Sequence, residues 1–318
     1  YNEASSYGRA FLVGLLNTLL VSALGVVLAT LLGFVIGVAR LSPNWLIRQW
    51  AGAYIETIRN IPLLLQIFFW YFAVLRPLPH PRESIDLFGL VFLSNRGLYV
   101  PKPLLEPGFG WLLGALLLGG LGAILLRQRA RRAAGGGGKR AWLWLFAVLL
   151  GPAALVLLVV GLPLSWELPE FQRFNFRGGM VLTPEFVALL LALSTYTAAF
   201  IAEIVRAGIQ SVNQGQREAA YSLGLPPGLT LRKVILPQAM RVIVPPLTNQ
   251  YLNLTKNSSL AAAIAYPDLV SVFAGTVLNQ TGQAVEVIGV TMAVYLAISL
   301  AIAAAMGLYN RRVALVER

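Results

Sequence analysis

The 318-residue sequence contains no cysteine and one histidine, His80. Disulfides, thiolate nucleophiles and Cys-containing metal sites are therefore excluded. His80 stands between Pro79 and Pro81, and with Glu83, Asp86, Glu106 and Glu167 it forms no recognisable metal or acid–base constellation. Charge is scarce as well: 12% of residues are Asp, Glu, Lys or Arg, against about 25% in a soluble domain. Acids are the rarer sign, 13 against 25 bases. There is no Gly-x4-Gly-Lys-Ser/Thr loop, so the chain does not hold ATP in the P-loop manner. No internal repeat is visible. An intramembrane enzyme would need a catalytic set inside its apolar runs, and none is there.

What is present is apolar. Hydrophobic residues make up 57% and the mean hydropathy is +0.71. Several runs approach or exceed the roughly 20 residues of helix that cross a bilayer. The fold class expected is all-α, a polytopic transmembrane helical bundle of seven spans: Phe11–Ala39, Ala53–Leu75, Trp111–Leu126, Trp142–Leu164, Pro184–Val205, Val242–Ala265 and Ala284–Leu308. The first would reach about 43 Å, more than the hydrocarbon core, so it must tilt or protrude. The sixth is the least apolar. It carries Pro245, Pro246, Asn249, Asn253, Lys256 and Asn257 together with two serines.

A net charge of +12 raises nucleic acid as a partner, and the placement of the bases answers otherwise. With the N-terminus outside, sixteen Lys and Arg fall in inner segments against seven in outer ones. This is the positive-inside bias of a multi-pass membrane protein whose C-terminus is cytoplasmic. The run Arg127–Arg140 encloses Gly135 to Gly138. Contact with anionic lipid or nucleic acid is one reading of it. A topology signal on a flexible turn is the preferred one, and no nucleic-acid partner is expected. Because the chain begins with Tyr1 outside, an upstream span or signal is expected to precede it.

A polar stretch follows the fifth span. Val212 to Leu223 can form a helix with the small Ala219 and Ala220 on one side, where another protein could approach the backbone closely. Gly224 stands where a helix C-cap requires φ > 0. Pro226 and Pro227 prevent continuation, and a second helix can start near Leu229. Taken alone, this is a helix-turn-helix loop, with or without a partner. Its spacing is more specific: Glu218-Ala219-Ala220, three residues, Gly224, nine residues, Val234 where Ile is usual, one residue, then Leu236-Pro237. That pattern resembles the EAA loop of ATP-binding-cassette (ABC) import permeases. The resemblance implies that about 206–241 is a coupling loop whose Gln216, Arg217, Glu218, Ala219, Ala220, Gly224, Leu236 and Pro237 serve a cleft on a separate ATPase.

Other segments resemble the polar amino-acid branch of these importers. They are Gly14–Leu19, Glu56–Leu63, Tyr196–Ile209 leading into Gly215–Ala220, and Gln238–Arg241 continuing to Lys256–Leu260. The resemblance covers 11–75 and 184–308. It implies a type I ABC importer permease fold in a bacterial inner membrane. The implied partners are an ATPase homodimer, a second and related permease subunit, a substrate-binding protein on the outer face, and membrane lipid. It implies an amino-acid substrate, and ATP and Mg²⁺ on the ATPase rather than any cofactor in this chain. The departure is 76–183, where two extra spans and long outer loops are inserted; this longer form resembles permeases of general L-amino-acid import systems. The organisation expected is an outer segment 1–10, spans one and two in 11–75, the insertion 76–183, and a core 184–318.

Charges inside apolar runs are functional candidates by default. Lys256 sits several turns into the sixth span beside Asn253, Thr255, Asn257, Ser258 and Ser259. A lysine with amide and hydroxyl donors suits an α-carboxylate, and Asn and Ser oxygens suit an α-ammonium. Inter-helix hydrogen bonding is the alternative. Thr57, Arg59 and Glu203 are further pathway candidates. Arg59 and Glu56 equally suit an interfacial pair, and Glu203 a bridge to Arg206. A rival class, an ion- or proton-coupled secondary transporter, would show paired repeats and leaves the loop spacing unexplained.

Overall fold

The computed structural model describes residues 6–132, 139–161 and 163–313. The glycine turn Gly135–Gly138, the side chains of the basic run around it, Tyr1 and Arg318 lie outside the described residues. The chain divides into two compact units. One comprises the described residues up to Leu78, Asn95–Gly97, and the described residues from Thr183 onward; the other is made of the described residues of Pro79–Ser94 and Leu98–Leu182.

In the first unit, α1 (Tyr7–Arg40) starts where the Ser6 side chain accepts from the Arg9 amide at 3.3 Å. Its buried positions Gly14, Thr18, Val21, Gly25, Ala29, Gly33 and Gly37 recur every three or four residues. They form a stripe of mostly small side chains on one face, which lets another helix backbone come close. That helix is α6 (Pro184–Gln210), capped by Thr183 and opened by Pro184 at its first position. Its Ala188, Ala192, Ala198 and Ala202 are fully buried.

The second expected span is not one helix. α2 (Trp45–Asn60), capped by Asn44, stops at Ile61, and α3 (Leu63–Phe68) with the π-helical turn to Leu75 leaves at 107°. Pro62 has no amide to donate and disfavours helical geometry in the residue before it. Gln66 closes the corner, its side-chain amide donating to the carbonyls of Ile58 at 2.9 Å and Ile61 at 3.0 Å.

α7 (Gln214–Ser222) and α8 (Pro227–Thr230) lead through a π-helical turn, Leu231–Ile235, into α9 (Leu236–Asn257). α9 runs through Pro245 and Pro246 without ending. The sixth expected span, to Ala265, instead leaves α-helical geometry after Asn257. A 3-10 segment, Ser258–Ile264, ends on Ala265 in left-handed geometry at φ 56°. The chain returns through a π-helical segment, Val270–Val277, α10 (Leu278–Thr281) and α11 (Ala284–Val313).

The second unit contains α4 (Phe109–Arg132) and α5 (Lys139–Val160) as a helical pair, plus β1 to β8, short antiparallel strands of three or four residues: Ile85–Leu87, Val91–Ser94, Gly97–Val100, Lys102–Leu105, Leu164–Glu167, Glu170–Gln172, Asn175–Arg177 and Met180–Leu182. Phe176 packs on Phe92 and Tyr99, each with ring centroids 4.6 Å away. Helices dominate the chain as expected, and these strands occupy loops for which no regular structure was expected.

Among the described residues, α1, α4, α6 and α11 are each long and apolar enough to cross a membrane, and the bent α2–α3 pair can count as a fifth crossing. Of the seven expected spans, the first, third, fifth and seventh correspond to these four helices and the second to the bent pair. The fourth corresponds to α5, whose described apolar part is Phe146–Val159. The sixth corresponds to α9, which is long enough but more polar.

Candidate functional site

The stretch after α6 folds as a separate small helix. Asn213 caps α7 by accepting from the Gly215 amide at 2.8 Å. At the other end the Leu225 amide reaches the Ala220 carbonyl at 3.1 Å and the Gly224 amide reaches Tyr221 at 2.9 Å, with Gly224 at φ +72°. This is the glycine stop the sequence called for. The helix is two residues shorter at its start and one at its end than the Val212–Leu223 expected. The small pair is also split. Ala219 is exposed, whereas Ala220 is 3% exposed and packs into the loop's own base, so the outward face is made by Gln216, Glu218, Ala219, Tyr221 and Leu223. Leu223 is 80% exposed.

Two tethers fix α7 to longer helices. Arg217 Nη2 donates to the Ile209 carbonyl at the end of α6 at 3.3 Å, and Gln238 Nε2 of α9 donates to Gln216 Oε1 at 3.3 Å. Among the described residues, the Glu218 carboxylate meets only the Gln214 side chain, at 3.0 Å, and the residue is exposed. Leu236 and Pro237 open α9 and are exposed. Gly224→Val should loosen α7 by about 1–2 kcal/mol, because a side chain at positive φ is strained. Faster amide exchange across Gln214–Ser222 is the expected readout; unchanged exchange would show that the glycine stop is dispensable.

The other candidates fall into two cavities. At the Arg40 end of α1 and the Gln210 end of α6, a cavity of about 510 Å³ is lined by Arg40, Arg48, Glu56, Arg59, Glu203 and Arg206. Glu203 is ion-paired with Arg206, whose Nε donates to Oε2 at 2.9 Å. Arg40 lies 3.8 Å from Glu56 and donates to the Arg48 carbonyl at 3.2 Å. Arg59 stacks over the Phe200 ring at 5.0 Å. Thr57 is exposed on another face of α2.

Lys256 and Ser259 line a second cavity of about 440 Å³, shared with Thr291, Tyr295 and Ser299 of α11. Asn253 and Lys256 are exposed and Asn257 is half-buried. Ser258 is fully buried, and its hydroxyl donates to the Thr255 carbonyl at 2.7 Å; Ser259 likewise donates to Lys256 at 2.7 Å. The serines thus satisfy the helix end before they can serve a solute. Lys256 lies twenty residues along α9 from Leu236, about 30 Å of helix, so it is remote from the arginine cavity.

Asp268 escaped the sequence reading. It is fully buried in the turn after Ala265 and accepts from the Ser271 amide at 2.8 Å, with the Tyr295 hydroxyl 3.4 Å away. The same turn is pinned to α1: Asn17 donates to the Pro267 carbonyl at 2.9 Å, and the Leu269 amide to Thr18 at 3.0 Å. A lone carboxylate in a long apolar stretch was the available signal.

An apolar bundle, an exposed helix tethered at its base, and polar cavities at two levels define an integral membrane protein of the transport class. The chain belongs to the family of binding-protein-dependent transport system inner membrane components, whose description matches residues 140–315. It is 59% identical over 320 residues to the putative amino-acid ABC transporter permease protein YhdX of Escherichia coli K12, covering 100% of this chain and 81% of that one. It is 50% identical to the general L-amino acid transport system permease protein AapQ of Rhizobium johnstonii, covering 100% and 80%. Its fold matches a solved amino acid ABC transporter crystallised with histidines, at TM-score 0.58 and 24% identity, over 96% of this chain and 95% of that one.

Proposed function

We infer that the chain is the membrane-spanning permease subunit of an ATP-driven amino-acid importer, contributing to the translocation pathway and taking its motion from a separate ATPase. The observation that carries this reading is α7: a glycine-stopped helix with an outward face of its own, tied at its base to α6 and α9. The positive-inside bias puts that helix in the cytoplasm, the N-terminus of this chain outside and its C-terminus within. The chain carries no nucleotide motif of its own and does no bond chemistry. ATP and Mg²⁺ belong on an ATPase homodimer, a second and related permease completes the pathway, and a substrate-binding protein delivers from outside. The full-length likeness to amino-acid permeases favours L-amino acids, polar and acidic ones included.

The passage is assigned to the Lys256 cavity, where a cation and the hydroxyls of Ser259, Thr291, Tyr295 and Ser299 line one space and can meet an α-carboxylate; Asn253 and Asn257 neighbour Lys256 on α9 without lining it. Arg59 is given the interfacial role: its stack on Phe200 and the neighbouring Arg40–Glu56 pair hold α2 against the ends of α1 and α6. Glu203 is given to Arg206 within α6, and Thr57 is left out of the passage. Lys256→Ala should lower uptake about tenfold or more, the loss expected for a charge-assisted hydrogen bond, and leave the assembly intact. Unchanged uptake would remove Lys256 from the passage.

The deciding experiment is reconstitution in vesicles. Uptake should require ATP and the ATPase partner. Uptake that persists without the ATPase and follows an ion gradient would favour the coupled secondary transporter instead.

A further inference from the structure

The cavity at the α1 and α6 ends holds four arginines and two glutamates, leaving two positive charges unmatched. Glu203 is committed to Arg206 and Glu56 lies nearest Arg40. Among the described residues, Arg48 and Arg59 have no carboxylate within ion-pair distance. Both belong to one stripe of α2: Arg48, Gly52, Ile55 and Arg59 follow one another at intervals of four, three and four and all line the cavity. Gly52 is part of the construction. A Cβ there would lie 2.7 Å from Arg40 Cζ, so the bare backbone lets the Arg40 guanidinium lie across α2.

The depth of the cavity follows from the same helix. α2 meets α3 at 107°, so with α3 entering the bilayer α2 runs near the membrane plane. Its opposite face presents Leu46, 55% exposed, and Trp50, 69% exposed. An amphipathic helix with an exposed tryptophan is the signature of the headgroup layer. In the orientation inferred above, which this step rests on, that layer is the cytoplasmic leaflet.

We propose that this cavity binds the phosphate of an anionic phospholipid from the cytoplasmic leaflet. Arg48 and Arg59 supply the forks, and Arg40 turns from Glu56 towards the same anion. Guanidinium matches phosphate with paired parallel hydrogen bonds, and the anionic leaflet supplies the ligand at high local concentration. The bound lipid bridges α2 to the last turn of α6, a few residues before α7. It therefore stiffens the segment through which the loop's motion reaches the bundle.

The test uses the permease purified with its ATPase partner and exchanged into mixed micelles of phosphatidylglycerol and phosphatidylcholine. Phosphatidylglycerol should be retained preferentially on the wild type. Retention should fall by about fivefold for each arginine removed in Arg48→Gln and Arg59→Gln, and the Lys replacements should keep part of it. If the Gln variants do not assemble, competition on the wild type decides. Excess inorganic phosphate and L-glutamate should leave the lipid bound, because neither brings acyl chains. Equal retention of the two lipids, or unaltered retention in assembled Gln variants, overturns the proposal. Displacement by phosphate would make the cavity a free-anion site, and displacement by L-glutamate would make it the exit of the passage; either result also overturns it. Loss of lipid preference with ATP-driven uptake preserved would leave the importer reading standing.

Discussion

Leucine in place of Gly33 is expected to leave little folded permease in the membrane. A Cβ at Gly33 would lie 2.6 Å from Ile201 Cβ and 3.0 Å from the Ala198 carbonyl oxygen. One turn on, a Cβ at Gly37 would lie 2.8 Å from Val205 Cβ and 2.7 Å from the Ala202 oxygen. Ala198, Ile201, Ala202 and Val205 are all fully buried, so α6 has nowhere to yield. Water does not drive helices together inside a bilayer. Their association rests on close packing, which a separation of even an ångström or two forfeits. The cost should be on the order of 3 kcal/mol or more, the upper range of overpacking. The readout is the yield of monodisperse protein after extraction. Gly289→Leu in α11, where nothing lies within 4 Å of the added carbon, serves as the matched control. Ile201→Ala combined with Gly33→Ala should recover part of the loss. A normal yield from Gly33→Leu would mean that α1 and α6 are not held by this seam.

The sequence made this seam hard to see. Gly14, Gly25, Gly33 and Gly37 sit in a run that is apolar all round, and periodicity carries no signal when every face suits lipid. The loop was far more legible because glycine and proline punctuate it: Gly224 at φ +72° and Pro227 at the first position of α8 are where local stereochemistry requires them. Even there, only the fold separated Ala219, facing out, from Ala220, facing in. The 107° corner was half-written in Asn60-Ile61-Pro62. The surrounding apolar residues read as one continuous span because hydropathy is blind to direction. The strands of the second unit are three or four residues long, too short for an alternating pattern to declare itself. Among the site candidates, Lys256 and Arg59 were grouped as charges in spans. Their separation along the bundle emerged only when α9 and α2 were placed.

Reversing one charge on α7, Glu218→Lys, should separate the permease from its ATPase without unfolding it. Among the described residues the carboxylate touches only Gln214, and it is exposed, so the fold loses almost nothing. If a cleft on the ATPase presents a basic or donor group to Glu218, a lysine there meets like charge or an unpaired donor. Disrupting a desolvated charge contact typically costs about 2–5 kcal/mol, at least about thirtyfold in affinity. The complex should then fall apart in a pull-down and ATP-driven uptake should drop to background. Deletion of Arg217–Gly224 should do the same more completely. Glu218→Gln, which keeps the shape, should fall between. Arg217→Ala probes a different link. It cuts the tether to the Ile209 carbonyl but leaves most of the outward face, so association should persist while less transport is obtained per ATP hydrolysed. On the proposed reading docking and transmission are separable: Glu218 would act on whether the ATPase is held, and Arg217 with Gln216 on whether its movement reaches α6 and α9. Normal co-purification of Glu218→Lys would reject α7 as the docking element. Normal coupling in Arg217→Ala would reject the tether and leave the Gln216–Gln238 contact to α9 as the route.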